Sequence, residues 1–133
     1  MVTNTFNRRD ALLEREFAGP ASAGTAVYCE PIELGEGTPF HADCESEFAI
    51  PALTATQMPA SSTLTIGVQH SGDGSTWTSL GTVSTLSGSA GGTESTKIRY
   101  RFPTTVQRYV RASLQGATTG NLTGAKFKYY LVF

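Results

Sequence analysis

The stretch QHSGDGSTWTSL, residues 69–80, joins two runs in which apolar and polar residues alternate. The run before it alternates from Leu64 onward, with the two-residue period of a β-strand. Asp73 and Gly74 lie between the two runs, and both residue types tolerate the positive φ angles of tight hairpin turns. The stretch therefore predicts a β-hairpin, in which Trp77 enters the second strand and closes the core.

Other alternating segments follow at short intervals and are separated by turn-forming residues. The predicted strands cover residues 27–34, 40–50, 63–70, 76–86, 96–102, 107–115 and 125–133. Pro31 weakens the first of them, Gly81 predicts a bulge, and SGSAGGTE at 87–94 predicts a flexible tip. No helical segment lies between any two strands, which excludes a parallel α/β sheet. We predict an all-β fold, an antiparallel jelly-roll-like β-sandwich of about seven to eight strands.

The N-terminal segment differs from the rest of the chain. Residues 6–17, FNRRDALLEREF, form the one convincing helical pattern, with apolar residues near one side and Arg and Glu on much of the remainder. Gly19 and Pro20 would end this helix. The pattern predicts an N-terminal arm with a possible short helix over residues 1–22 and a β-sandwich over residues 23–133. The arm either reaches a partner or neighbouring subunit, or is frayed or packed on its own domain.

Composition excludes several classes of function. The chain has 133 residues and a formal net charge of −1, which gives no general attraction to nucleic acid or to an anionic membrane. No apolar run reaches the roughly 20 residues that a membrane span needs. The N-terminus carries charges where a signal peptide would be apolar, so secretion by that route is not expected. Cys29 and Cys44 would face each other in a hairpin, but reduced, buried thiols fit a chain without an export signal better.

Charge is segregated along the chain. Residues 27–50 hold six acids and no Lys or Arg, whereas residues 97–128 hold seven Lys or Arg and no acid. One interpretation is that the two segments pair their charges across one solvated face, which we favour; the other is two patches that dock subunits or a charged partner. Lys97, Arg99 and Arg101 lack aromatic residues on their own face, so stacking on single-stranded nucleic acid is not indicated.

No pattern of residues predicts catalysis. His41 and His70 are not accompanied by a GxSxG turn or a similar nucleophile frame. Glu45 and Glu47 have the spacing of a glycosidase pair, but that spacing is common by chance in alternating strands. The spacing of zinc ligands and the multi-oxygen loop of a calcium site are also missing. We therefore expect a protein that is not an enzyme and uses no metal or cofactor.

Two segments carry a family resemblance. HSGDGSTWTSLGTV at 70–83 and QRYVRASLQGATTGNLTGAKF at 107–127, with the Gly/Ser tip, resemble the jelly-roll capsid cement, or decoration, proteins of tailed bacteriophages. The resemblance covers roughly residues 25–133. It implies a non-enzymatic virion protein that binds the outside of the major capsid shell as a homo-oligomer, dimer or trimer. It also implies a location on the capsid exterior after assembly in the host cytoplasm, without direct nucleic-acid or membrane contact.

The expected interface combines the arm with basic residues of the strands. Apolar arm residues would serve as anchors and arginines would add ionic contacts to the major capsid protein. The predicted capsid or subunit interface residues are Phe6, Arg8, Arg9, Leu12, Leu13, Arg15, Phe17, Arg99, Arg101 and Arg111.

The alternative is a carbohydrate- or receptor-binding module of a phage tail or surface protein, because both motifs also occur in discoidin-like modules. Its candidate aromatic residues are Trp77, Tyr28, Tyr109 and Tyr130.

Overall fold

The computed structural model describes residues 14–34 and 45–132. These residues form nine β-strands: β1 Glu14–Ala18, β2 Ala26–Tyr28, β3 Ile32–Glu33, β4 Glu45–Ile50, β5 Thr63–Ser71, β6 Thr78–Ser87, β7 Thr96–Arg101, β8 Tyr109–Ala117 and β9 Lys126–Val132. No helix occurs in the described ranges, and so none there is long and apolar enough to cross a membrane.

The strands form two antiparallel sheets. Sheet A has the order β1-β9-β4-β7, and sheet B has the order β2-β8-β5-β6, with β3 also paired to β8. If β2 and β3 are taken as one interrupted strand, these orders are those of an eight-strand jelly roll with four strands in each sheet. The predicted all-β, jelly-roll-like sandwich is therefore confirmed.

The core lies between the two sheets and is formed by the inward-facing residues of each. The rings of Phe48 on β4 and Tyr129 on β9 lie 4.7 Å apart and are both fully buried. Sheet B contributes Ile66 from β5 and Leu114 from β8, which are register partners. Burial of each such side chain contributes about 1.5–3 kcal/mol.

The hairpin predicted from residues 69–80 joins β5 to β6, and its two strands pair antiparallel from Thr63 to His70. Their register shifts twice, once between Ile66 and Gly67 and again between Val68 and Gln69. Gly81, at φ 124°, lies in the irregular part of β6. The hairpin and the bulge at Gly81 are both confirmed.

The helix predicted for residues 6–17 is wrong over its described part, because Glu14–Ala18 is strand β1. β1 pairs with β9, with Arg15 opposite Tyr129 and Phe17 opposite Phe127. The rings of Phe17 and Phe127 are 6.1 Å apart, so Phe17 packs against the core. Pairing and packing against a distant strand outweigh the weak helical preference of this segment. Residues 6–13 lie outside the described ranges.

One further difference has a local cause. The strand predicted at 27–34 is interrupted around Pro31, which cannot donate a ladder hydrogen bond, and becomes β2 and β3. With β1, this interruption gives nine strands instead of seven or eight. The strand predicted at 40–50 is described only from Glu45 onward, as β4.

The tip at residues 87–94 was predicted to be flexible, but hydrogen bonds fix it to the preceding loop. Leu53 and Thr93 exchange two backbone hydrogen bonds of 2.9 Å, and Gly88 N donates to Ser62 O at 2.8 Å. Gly92 has φ 82°, and a Cβ there would lie 2.1 Å from Leu53 O. The glycines of the tip thus permit close backbone packing instead of mobility.

Candidate functional site

The outer face of sheet B is built mainly from short uncharged side chains. On β8, Val110, Ala112 and Leu114 enter the core, so the residues between them face outward. Gly67 lies opposite Ser113 at the middle of this face, and a Cβ on Gly67 would come within 2.9 Å of Ser113 Oγ. The centre of the face is therefore flat.

Three side chains from separate parts of the chain stack on this face. The guanidinium carbon of Arg111 lies 3.9 Å from the centre of the Tyr28 ring and 4.2 Å from the centre of the Trp77 ring. Arg111 Nε also donates a hydrogen bond of 2.8 Å to Oε1 of Gln69, its register partner on β5. We call Tyr28, Trp77 and Arg111 the stacked cluster. Each cation–π contact of this kind contributes about 0.5–1 kcal/mol.

The stacked cluster corrects the prediction that Trp77 closes the core. Trp77 is half-buried and stacks on Arg111, and it is not among the core residues. Tyr28 is 43% exposed. Tyr130 is buried and its hydroxyl donates to Glu47, so it offers no platform. Tyr109 is half-buried beside Arg108, whose guanidinium carbon lies 5.3 Å from the Tyr109 ring centre.

The loop before Trp77 is held together by its own polar groups. Asp73 Oδ1 accepts hydrogen bonds from the backbone N–H groups of Thr76 and Ser75, at 2.9 and 2.8 Å, and from Ser71 Oγ at 2.9 Å. Ser71 Oγ in turn accepts from Gly74 N, also at 2.9 Å. These hydrogen bonds to Thr76, Ser75 and Ser71 lower the pKa of Asp73 from 3.8 to about 2. The loop thereby fixes the position from which Trp77 reaches Arg111.

Asp73→Ala is expected to lower the melting temperature and to shift the emission of Trp77 to longer wavelength, because the loop loses its central acceptor. The folded-state pKa of Asp73 is below its unfolded value, so the stabilisation is present above about pH 4 and is lost as the pH falls toward 2. Melting curves and tryptophan emission recorded from pH 7 to 2 test this. Asp73→Asn, which keeps Oδ1, is the control and should retain the emission of the unaltered chain at pH 7. A Trp77 emission unchanged in Asp73→Ala would contradict the role of the loop.

The outer face of sheet A carries the charges that were segregated along the chain. Arg99 on β7 reaches Glu47 at 3.0 Å and Glu45 at 3.4 Å, both on β4, and Arg101 reaches Glu45 at 3.7 Å. On sheet B, Arg108 similarly pairs with Glu33. Acidic and basic segments therefore meet within one subunit, as the favoured interpretation expected.

Glu47 does not have the raised pKa of a glycosidase general acid. Burial raises the pKa of Glu47, but hydrogen bonds from Tyr130 and Arg99 and the charge of Arg99 outweigh it, so the net pKa is lowered. A general acid in a glycosidase needs a raised pKa. The Glu47 side chain instead holds β4 to its neighbours β7 and β9.

Two clefts lie apart from the stacked cluster. One, of about 450 Å³ on the outer face of sheet A, has a floor of Ala49, Ile50 and Pro51. Its rim is formed by Lys97, Lys126, Lys128, Ser95 and Thr96. The other, of about 300 Å³, is lined by Gly72, Asp73, Thr76, Thr78 and Gln107. Neither lining contains a histidine or a cysteine that could act as base or nucleophile.

The histidine and the cysteine within the described ranges are, respectively, hydrogen-bonded and buried. His70 Nδ1 accepts a hydrogen bond of 3.1 Å from Gln107 N, and burial lowers the pKa of His70. Cys29 is a buried free thiol, and burial raises its pKa to about 11. Within the ranges 14–34 and 45–132, no three His, Cys, Asp or Glu residues come together as a metal site. His41 and Cys44 lie outside those ranges.

The predicted interface residues are dispersed in the structure. Arg15 and Phe17 lie opposite the core residues Tyr129 and Phe127 of β9, and Arg15 donates to the carbonyl of Pro31 at 3.1 Å. Arg99 and Arg101 pair with glutamates on sheet A, while Arg111 lies in the stacked cluster on sheet B. Residues outside the described ranges are Phe6, Arg8, Arg9, Leu12 and Leu13. The interface roles of all these residues remain predictions.

Sequence reasoning missed the stacked cluster as a unit, although it named each member. Tyr28 and Trp77 were considered for glycan binding and Arg111 for a capsid interface. The sequence contained one signal for Arg111. It lies between the core residues Val110 and Ala112, so its side chain must face outward from the sandwich. The pairing that brings β2, β8 and β5 together is not encoded locally.

No protein-family model and no curated protein matches the chain. Among solved structures, it is similar to a chain of the cowpea mosaic virus empty virus-like particle, with TM-score 0.50 and 7% identity over 100% of this chain and 82% of that one. It is also similar to a Cellvibrio japonicus xylanase 10C mutant in complex with xylopentaose, with TM-score 0.45 and 11% identity over 89% of this chain and 22% of that one. A third is the xylan-binding module CBM15, with TM-score 0.44 and 10% identity over 90% of each chain. At these identities the likeness is one of fold.

Proposed function

We propose that this protein is a structural component of a virus particle, a decoration protein that binds the outer surface of the major capsid shell and stabilises it. It acts as a homo-oligomer, has no enzymatic activity and needs no cofactor. The location is the capsid exterior of a tailed bacteriophage.

The observation that carries the proposal is the stacked cluster on the flat outer face of sheet B. Trp, Tyr and Arg are the residue types that dominate binding energy at protein interfaces. Here one of each lies in a single contiguous stack, held in place by Gln69 and by the loop around Asp73. A flat face with a preorganised centre suits a large protein partner better than a small substrate.

Two further observations support the same function. The segments 70–83 and 107–127, which carry the resemblance to capsid cement proteins, contribute Trp77 and Arg111 to the cluster. The fold is also similar, over the length of this chain, to a chain of a virus-like particle. A rigid sandwich repeated on a symmetric shell also gains avidity from many weak contacts.

The protein is expected to co-sediment saturably with shells assembled from the major capsid protein of the same phage, and to raise the temperature at which they break apart. Sedimentation and light scattering measure the two effects. The arm is tested by deleting residues 1–13, since a longer deletion would remove β1 and expose β9.

The deletion should leave the melting temperature of the sandwich unchanged. It should weaken shell binding about tenfold or more, because the arm contact is lost and only the contact through the stacked cluster remains. Unaltered affinity in the deletion would remove the arm from the interface. The decoration function itself would be contradicted if the full-length protein failed to bind shells at micromolar concentration.

Carbohydrate binding is the second candidate function. The exposed ring of Tyr28 next to the hydroxyl groups of sheet B is the observation that favours it, since sugars stack on aromatic faces and bind hydroxyl and amide groups. The guanidinium of Arg111, however, already lies over the rings of both Tyr28 and Trp77.

A further inference from the structure

We propose that the outward edge of the Arg111 guanidinium is a receptor for a carboxylate, supplied by an aspartate or glutamate side chain of the protein partner. This inference rests on the proposed function and names the chemistry that the partner must present to sheet B.

Arg111 has hydrogen-bonding capacity that the described chain does not use. Its Nε donates to Gln69, but neither Nη atom has a hydrogen-bond or ion-pair partner among the described residues. A buried Nη atom without a partner would be an unsatisfied polar atom, and neither Nη atom of Arg111 is one. Both therefore reach solvent. By contrast, Arg99, Arg101 and Arg108 each pair with a glutamate.

The guanidinium is held in one orientation before any partner arrives. Its central carbon lies 3.9 Å from the centre of the Tyr28 ring and 4.2 Å from that of the Trp77 ring, and Nε donates to Gln69. These three contacts restrict its orientation and leave the Nη groups for a partner. A planar guanidinium presents parallel N–H groups that match the two oxygens of a carboxylate. Since its orientation is already fixed, little side-chain entropy is lost on binding.

The surroundings favour an anion and a protein. Partial burial lowers the pKa of Arg111, which shows that its charge is incompletely solvated and gains from an opposite charge. The neighbours of Arg111 on this face include two uncharged residues, Gln69, its register partner on β5, and Ser113, two residues along β8. The linings of the two clefts described above do not include Tyr28, Trp77 or Arg111, and a flat face suits a protein surface more than a saccharide chain.

The experiment uses Trp77, the only tryptophan, as the reporter, since its ring touches Arg111 directly. The full-length protein is titrated with a blocked hexapeptide of alternating Asp and Glu, with its Asn and Gln counterpart, and with oligogalacturonate, all at constant ionic strength. The variants Arg111→Lys and Arg111→Gln are titrated in parallel, and their melting temperatures show whether they fold. Lys97→Ala, on the opposite sheet, is the matched charge control.

The acidic peptide is expected to change Trp77 emission saturably, and the amide peptide is not. Arg111→Lys should weaken the response about tenfold or more, because lysine keeps the charge but loses the fork. Arg111→Gln should abolish it, and Lys97→Ala should leave it unchanged.

Equal responses to the two peptides, or an unweakened response in Arg111→Lys, would overturn the inference. Tighter binding of oligogalacturonate than of the acidic peptide would overturn the assignment to a protein partner. If shells bind while the peptide does not, only the inference fails; if the peptide binds while shells do not, the proposed function fails.

Discussion

Trp77→Ala and Tyr28→Ala are each expected to weaken binding to capsid shells about thirtyfold or more, which is the change produced by losing roughly 2 kcal/mol at an interface hot spot. Each substitution removes an aromatic ring and also one of the two ring contacts of the Arg111 guanidinium. Because both rings hold the same arginine, the double variant should lose less than the sum of the two single losses. Co-sedimentation with shells over a protein concentration series measures these affinities.

Lys97→Ala is the matched control, since Lys97 lies on sheet A, away from the stacked cluster. It should bind shells with unaltered affinity. Full binding by folded Trp77→Ala and Tyr28→Ala would remove sheet B from the proposed interface. Specific glycan hits that are lost in the same two variants would favour the carbohydrate-binding candidate instead.

Phe48→Ala is expected to lower the free energy of unfolding by about 3–5 kcal/mol. Phe48 is fully buried between the sheets, and its ring stacks on Tyr129 at 4.7 Å. Removing the ring leaves a cavity that two sheets held by continuous ladders cannot close. Since a domain of this size has a total stability of about 5–15 kcal/mol, the variant should unfold at a much lower urea concentration.

Tyr28→Ala is the matched aromatic control for stability. Its ring is 43% exposed and contacts Arg111 from the outside, so its loss should cost less than about 1 kcal/mol. Urea midpoints and slopes for the two variants provide the comparison. If Phe48→Ala lowers the free energy of unfolding no more than Tyr28→Ala does, the contact between the sheets does not dominate stability.

Local signals predicted those parts of the fold that depend on local chemistry. The Asp73–Gly74 turn and the bulge at Gly81 follow from the φ preferences of those residues, and the weakness predicted at Pro31 follows from its missing N–H. The alternation from Leu64 onward likewise gave the inward face of β5.

The wrong predictions for Glu14–Ala18 and Trp77 both concern long-range pairing. Glu14–Ala18 has the composition of a helix, but β9 lies alongside it and provides ladder hydrogen bonds and the ring of Phe127. Trp77 was assigned to the core from the general burial of tryptophan, although its position next to Arg111 on the outer face is set by the β5–β8 register. No local pattern specifies which strands become neighbours, and so the stacked cluster could not be predicted from sequence.

The irregular register between β5 and β6 affects whether two copies of the protein can pair through their sheet edges. β6 is an exposed edge of sheet B, and a straight edge strand of its length would offer unpaired backbone groups to the edge of another copy. Its two register shifts break that regular row, while the opposite edge strands β2 and β3 have only three and two residues. On sheet A, the edge strand β7 carries charged side chains, including Lys97, and charged residues on an edge strand disfavour pairing with another strand. Pairing of two copies through β6 or β7 is therefore disfavoured.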